Sequence, residues 1–155
     1  MDKYKSTNEK LNLFKYAINI ELLEYGDIGD RFFYNDELFT GLGYELYQNG
    51  NIRELIPYEN GFANGMCREW YSTGELMREY ELRRGSSHGR KIYWYKNGSI
   101  KLIANYEFGI ELDYQEWDEK GNLIENRELD SNDPNSNYST LLRLRESENK
   151  NNKME

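Results

Sequence analysis

Apolar and polar residues alternate along much of the chain between residues 41 and 129, which is the pattern of half-buried β-strands. Ile52, Ile56 and Tyr58 share one parity, and the charged Arg53 falls on the other. The same alternation returns after each later glycine turn. These segments predict an antiparallel sheet with one apolar face.

Glycine divides this pattern into units with a period of 24 residues. Three series of glycines share that spacing, and the middle series continues to Gly121 with a step of 23. The three series are Gly41, Gly65 and Gly89; Gly50, Gly74 and Gly98; and Gly61, Gly85 and Gly109. A fixed period of this size indicates a repeat architecture. Each unit is therefore predicted to be a strand, a glycine turn and a second strand, with another glycine turn leading onward.

Tryptophan follows the same period. Trp70, Trp94 and Trp117 each lie four residues before the middle glycine of their unit, and Leu46 takes that place in the first unit. An Ile or Leu stands two residues after that glycine in every unit. Because an isolated hairpin is marginally stable in water, we expect these residues to form cross-strand rows in which each unit supports the next.

The predicted fold is all-β: an elongated, single-layer antiparallel meander of β-hairpin repeats of about 24 residues. The repeat sheet would span residues 16–129, beginning with a strand and a partial unit that caps the open edge. The predicted units are 31–41 (partial), 41–64, 65–88, 89–111 and 112–129. Leu112 stands where the opening glycine of the last unit is expected, which predicts a bulge there.

The two ends of the chain differ in composition from the repeats. Residues 1–15 are polar and predict a flexible arm, and residues 130–155 predict a polar linker, a short helix and a disordered tail. The helix is expected at 138–148, with Ser139 or Thr140 as its N-cap.

Charge and composition narrow the classes of partner. The net charge of −8 disfavours nucleic acid and anionic membranes as partners and would attract a basic protein. The single cysteine, Cys67, excludes an internal disulfide and fits a reducing compartment. No long apolar segment occurs, so we expect a cytoplasmic protein.

Residues capable of catalysis are few. His88 is the only histidine and stands in "RRGSSHG", which we interpret as a solvated loop rather than a catalytic site. Arg68 could lower the pKa of Cys67, but an inert strand thiol is the favoured interpretation. One His and one Cys cannot complete a tetrahedral metal site, and we expect no cofactor and no enzyme activity.

The repeat resembles the MORN type, and specifically the variant repeat of the bacterial YwqK-type antitoxin family. The segments that carry the resemblance are "LFTGLGYELYQNGNIRELIPYENG", "GMCREWYSTGELMREYELRRG", "GRKIYWYKNGSIKLIANYEFG" and "YQEWDEKGNLIE". They lie within residues 31–129. The resemblance implies an antitoxin or immunity protein that binds and neutralises a cognate bacterial toxin.

Tyrosine and glutamate next to the tryptophan ladder form the predicted partner surface, because neighbouring residues of a strand project to opposite faces. The candidate residues are Glu45, Tyr47, Glu69, Tyr71, Tyr93 and Tyr95. An equal alternative is that these side chains only cover the second face. A scaffold or membrane-associated interaction module is the competing function, and an enzyme is the weakest.

Overall fold

The computed structural model describes residues 16–26 and 29–153, so the arm expected at 1–15 lies outside the described residues. The strands that precede the repeats are β1 (Ala17–Asn19), β2 (Glu24–Gly26), β3 (Arg31–Tyr34) and β4 (Glu37–Leu38). The repeat strands are β5 (Gly41–Leu46), β6 (Ile52–Glu59), β7 (Phe62–Ala63), β8 (Gly65–Trp70), β9 (Leu76–Arg83), β10 (Ser86–Trp94), β11 (Ile100–Glu107), β12 (Ile110–Trp117) and β13 (Leu123–Glu128). A 3₁₀ turn follows β1, and helix α1 (Tyr138–Asn151) ends the described chain.

One large sheet contains all the repeat strands, in the order β1-β5-β6-β8-β9-β10-β11-β12-β13, with β7 also paired to β6. From β5 onward each pair is antiparallel, and apart from the short β7 each strand pairs with the next one along the chain. The all-β hairpin architecture predicted from the repeat is confirmed. The exception to the antiparallel pattern is β1, which pairs in parallel with β5.

Two kinds of turn alternate along the sheet. In the first kind, the amide of Gly50 donates to the carbonyl of Tyr47 over 2.9 Å, and Gly50 has φ of 79°. This is a type I turn closed by a glycine bulge, and it recurs at Gly74, Gly98 and Gly121. The second kind is a two-residue type I′ turn, in which both residues have positive φ. Its three examples in the repeat sheet are Asn60–Gly61, Arg84–Gly85 and Phe108–Gly109.

A bulge after each glycine turn changes which side chains share a face. Leu46 pairs with Ile52 and Glu45 pairs with Glu54, which leaves Arg53 as an extra residue. Ile52 therefore lies beside the tryptophan ladder and packs with Trp70. The expectation that Ile52 shares a face with the later residues of its parity is wrong, because the extra residue reverses the alternation.

The predicted ladder is present in the pairing register: Leu46 with Ile52, Trp70 with Leu76, Trp94 with Ile100 and Trp117 with Leu123. The bulge expected near Leu112 is also present, because Asn105 pairs with Asp113 while Tyr106 pairs with Glu111.

The type I′ turns are held to one another. The amide of each turn glycine donates to a carbonyl of the preceding unit, for example Gly85 to Ala63 over 2.8 Å. The amide of the residue before that glycine donates to a side chain of the preceding unit: Asn60 to Thr40, Arg84 to Asn64, and Phe108 to His88. Each turn is therefore fixed by the one before it.

The half-repeat expected at 31–41 forms a hairpin, but not in the main sheet. Strands β2, β3 and β4 form a separate three-stranded sheet. It crosses the Asn60–Gly61 turn, where the amide of Phe32 donates to the carbonyl of Gly61 over 2.8 Å. Phe32 and Phe39 pack against the buried ring of Tyr58, with ring centroids 5.3 and 5.4 Å away.

Helix α1 extends to Asn151, further than the 138–148 expected. It begins after Asn137, which makes no side-chain capping bond, so neither Ser139 nor Thr140 is the N-cap. Leu141 is buried, and two ion pairs attach the helix to the sheet. Arg145 donates to both carboxylate oxygens of Glu107 over 2.8 and 2.5 Å, and Arg83 contacts Glu148 at 2.5 Å. These bonds from Arg145 hold the pKa of Glu107 below its usual value.

Candidate functional site

A single cross-strand row of side chains crosses the repeat sheet on the face opposite the tryptophan ladder. Successive registers connect one residue of each strand from β5 to β13, apart from the short β7. We call this the acidic row; its members are Glu45, Glu54, Glu69, Arg78, Tyr93, Leu102, Glu116 and Glu125. Cross-strand partners lie on the same face of a sheet, so the five carboxylates share one face, on which Glu69 is buried.

Three of the carboxylates are neutralised within the chain. Arg53 contacts Glu45 at 2.6 Å, Arg78 contacts Glu69, and Arg127 contacts Glu125. These arginines all lie in strands of the repeat sheet, and each offsets one negative charge of the row.

Glu54 and Glu116 carry the remaining negative charge of the row. Each accepts a tyrosine hydroxyl, from Tyr80 over 2.8 Å and from Tyr114 over 2.5 Å. Neither carboxylate forms an ion pair with another described residue, and both are half-buried. A half-buried carboxylate that a tyrosine positions, but that no cation neutralises, is suited to accept a cation from outside the chain.

Arg78 joins the middle of the row into one network. It pairs with Glu69, donates to the hydroxyl of Tyr93 over 2.7 Å, and lies 4.8 Å from the ring centroid of Tyr80. Burial, together with the charge of Glu54, raises the pKa of Tyr80 well above its ordinary value. The hydroxyl of Tyr80 donates to Glu54 over 2.8 Å and also lies 3.5 Å from Glu69.

Tyr47, Tyr71 and Tyr95 have a different geometry from the rest of the predicted surface. Each hydroxyl donates to the backbone carbonyl of the tryptophan in the next unit, over 2.8, 2.8 and 3.0 Å. These bonds connect adjacent glycine turns, which lie side by side at one end of the strands. Burial and the nearby carboxylate of Glu119 raise the pKa of Tyr71.

The six predicted partner residues thus divide into two groups. Glu45, Glu69 and Tyr93 lie in the acidic row. Tyr47, Tyr71 and Tyr95 instead lie in the glycine turns at the ends of the strands. Contact with a partner stays a prediction for all six residues.

The sequence reasoning missed Glu54 and Glu116. Glu54 could have been found from the hairpin register, because it pairs with the suspected Glu45. Glu116 could have been found from the repeat, because it directly precedes Trp117 as Glu69 precedes Trp70.

Cys67 is fully buried, and burial raises its pKa to about 12. The lowering effect considered for Arg68 does not occur; Arg68 instead bonds to Glu79 over 3.3 Å. His88 lies in β10 rather than in a loop, where its Nδ1 accepts from the amide of Phe108 over 3.5 Å. The loop interpretation of His88 is therefore wrong.

In residues 16–26 and 29–153, no group of three His, Cys, Asp or Glu side chains is arranged to hold a metal ion. Over the same residues, no helix has the length and apolar character needed to cross a membrane.

Comparison with known proteins adds one finding about the repeats. The family model described as MORN repeat variant matches residues 39–60 and 87–107. The first segment contains the β5–β6 hairpin, and the second contains most of β10 and all of β11. Searches of curated proteins and of solved structures gave no match. Two hairpins of this sheet therefore match the MORN repeat variant.

Proposed function

We propose that this chain is a non-enzymatic immunity protein that binds a cognate, basic bacterial toxin through the acidic row and so neutralises it. The observation that carries the proposal is the pair of carboxylates, Glu54 and Glu116, which the fold positions without neutralising them. The antitoxin role itself comes from the family resemblance of the repeats.

The geometry of the row suits a protein partner better than a small substrate. The carboxylates are spread across adjacent strands of an open sheet rather than gathered in a cleft. Tyr80, Tyr93 and Tyr114 lie beside them and provide flat, amphipathic contact area, which is favoured in protein interfaces. The net charge of −8 would increase the rate of encounter with a basic partner.

Co-expression tests the proposal. The product of the neighbouring reading frame should be toxic alone and harmless beside this chain. A Glu54→Gln, Glu116→Gln double variant keeps an acceptor for each tyrosine but removes both charges, so affinity should fall at least about tenfold and protection should weaken. Glu146→Gln, on the exposed surface of α1, is the matched control and should protect like the wild type.

Two results would contradict the proposal. The neighbouring product could be harmless alone, or it could remain lethal in the presence of this chain. Retained protection by the double variant would reject the acidic row as the contact surface while leaving the immunity role in place.

The competing function, a membrane-associated scaffold, predicts binding to anionic vesicles, which the proposed immunity protein should not show. Sedimentation with anionic vesicles should show no salt-sensitive binding, because the net charge of −8 opposes it. Salt-sensitive binding would favour the scaffold.

A further inference from the structure

A groove of about 380 Å³ opens where the small N-terminal sheet meets the repeat sheet. Its lining residues come from β3, from both sides of the Asn60–Gly61 turn and from the Arg84–Gly85 turn; they are Arg31, Glu59, Asn60, Phe62, Asn64 and Arg84. The groove lies at the type I′ turns, which are the opposite ends of the strands from the glycine turns that carry Tyr47 and Tyr71. It therefore differs from the acidic row both in place and in charge.

Two arginines line this groove. The guanidinium carbon of Arg31 lies 5.0 Å from the ring centroid of Phe62, and that of Arg84 lies 5.1 Å from the same centroid. An aromatic ring attracts a guanidinium through its face and leaves the N–H edges available for hydrogen bonds. Phe62 thus contacts two cationic groups, and both of these arginines line the groove.

Neither arginine has an anionic partner within the described chain. No carboxylate of residues 16–26 or 29–153 forms an ion pair with Arg31 or Arg84, and the Nε of Arg31 is buried without a hydrogen-bond acceptor. A buried donor that lacks an acceptor is unfavourable and is uncommon in folded proteins. The groove contains one carboxylate, Glu59, which accepts a hydrogen bond from the side-chain amide of Asn64 over 2.7 Å.

Arg84 also occupies a backbone position that disfavours arginine. It has φ of 50° as the first residue of a type I′ turn, where Asn60 stands in the preceding unit. Asn and Gly are favoured in this conformation, and a long side chain is strained in it.

We propose that this groove binds an oxyanion, either a carboxylate or a phosphate group, held by the guanidinium groups of Arg31 and Arg84. Both groups are planar donors that can bond to two oxygens of one anion. The side-chain amide of Asn60, which forms no hydrogen bond with another described residue, can add a further donor.

The test is a titration of the full chain at low salt, followed by NMR of the arginine Nε–Hε signals. The probes are acetyl-Gly-Glu-Gly-amide and inorganic phosphate, each added up to about 20 mM. The signal of Arg31 should shift to saturation with at least one probe, and the probe that binds identifies a carboxylate or a phosphate source.

The variants separate binding from folding. Arg84→Asn suits the turn, so it should unfold at no lower urea concentration than the wild type and yet bind at least about tenfold more weakly. Arg31→Gln should weaken binding similarly. The matched control is Arg90→Gln, which removes the same charge from an exposed arginine outside the groove and should leave affinity unchanged.

Three results would overturn the proposal: no saturable shift with either probe, full affinity in both groove variants, or an equal loss of affinity in Arg90→Gln. The titration uses no protein partner, so its outcome does not depend on the immunity role.

Discussion

Tyr71→Phe tests whether the tyrosines at the glycine turns are structural. The change removes only the hydroxyl that donates to the carbonyl of Trp94 over 2.8 Å, and the ring remains in place. If these bonds hold adjacent units together, the variant should be less stable as a free protein. If Tyr71 is instead an anchor for a partner, the free energy of unfolding of the variant should equal that of the wild type, and only the complex should weaken.

The expected loss follows from the geometry. An intramolecular hydrogen bond contributes about 0.5–1.5 kcal/mol net, and Tyr71 is half-buried, so a loss near 1 kcal/mol is expected. With a urea m-value of about 1–3 kcal/mol/M, the unfolding midpoint should fall by roughly 0.3–1 M. Tyr47→Phe and Tyr95→Phe should have similar effects, because their hydroxyls make the equivalent bonds.

Urea unfolding followed by tryptophan fluorescence is the assay. Tyr34→Phe is the matched control, because the hydroxyl of Tyr34 forms no hydrogen bond with any described residue. That variant should stay within about 0.5 kcal/mol of the wild type. A midpoint for Tyr71→Phe equal to that of Tyr34→Phe would refute the structural role and restore Tyr71 as an interface candidate.

Three further predictions concern buried or bonded groups. Burial raises the pKa of Cys67 from 9.0 to about 12, so the folded chain keeps a proton that the unfolded chain loses. The contribution of this thiol to the free energy of unfolding should be complete below pH 9 and fall by up to about 1.4 kcal/mol per pH unit as the pH rises toward 12. Between pH 8 and pH 10, the urea midpoint should therefore fall less in Cys67→Ala than in the wild type. His88→Ala removes the acceptor for the amide of Phe108 and should cost about 0.5–1.5 kcal/mol in urea unfolding, whereas His88→Asn, which copies the residue at the previous turn, should recover most of that loss. Leu141→Ala should release α1 by removing its buried side chain, at a cost of about 2–5 kcal/mol, and hydrogen exchange should show faster exchange in the helix; the exposed Leu142→Ala should show neither effect.

The repeat fold could be predicted because glycine and tryptophan have local reasons to recur. Gly50 and its equivalents occupy left-handed backbone positions that other residues adopt at a cost, so the turns leave a regular mark in the sequence. Trp70, Trp94 and Trp117 mark the cross-strand row beside those turns, which is buried at Trp70 and more exposed toward Leu123. A pattern of this kind needs no knowledge of distant contacts.

The acidic row could be predicted only in part. Simple alternation placed Ile52 and Ile56 on one face, but the extra residue at Arg53 separates them, and a bulge cannot be read from parity. Glu54 gains its significance from Tyr80, which is 26 positions away in the sequence. A hydrogen bond of that kind depends on register and side-chain direction.

The terminal elements were predicted least well because they do not repeat. Strands β2 to β4 are short and belong to no periodic series, and their position depends on contacts with Tyr58. The parallel pairing of β1 also has no sequence signal. The extent of α1 was underestimated because Asn137 precedes it without the side-chain bond that a capping residue normally makes.

The order of the strands determines how this chain would respond to mechanical force. In a sheet built from consecutive hairpins, tension applied at the C-terminus loads the hydrogen bonds between one pair of strands at a time, so the sheet should peel rather than break at once. Each released unit of 24 residues would add roughly 80 Å of extended chain. Helix α1 opposes this peeling, because its ion pairs to Arg83 in β9 and Glu107 in β11 fasten the last units to earlier ones. The helix must therefore detach first, before the last strands of the sheet can separate from their neighbours.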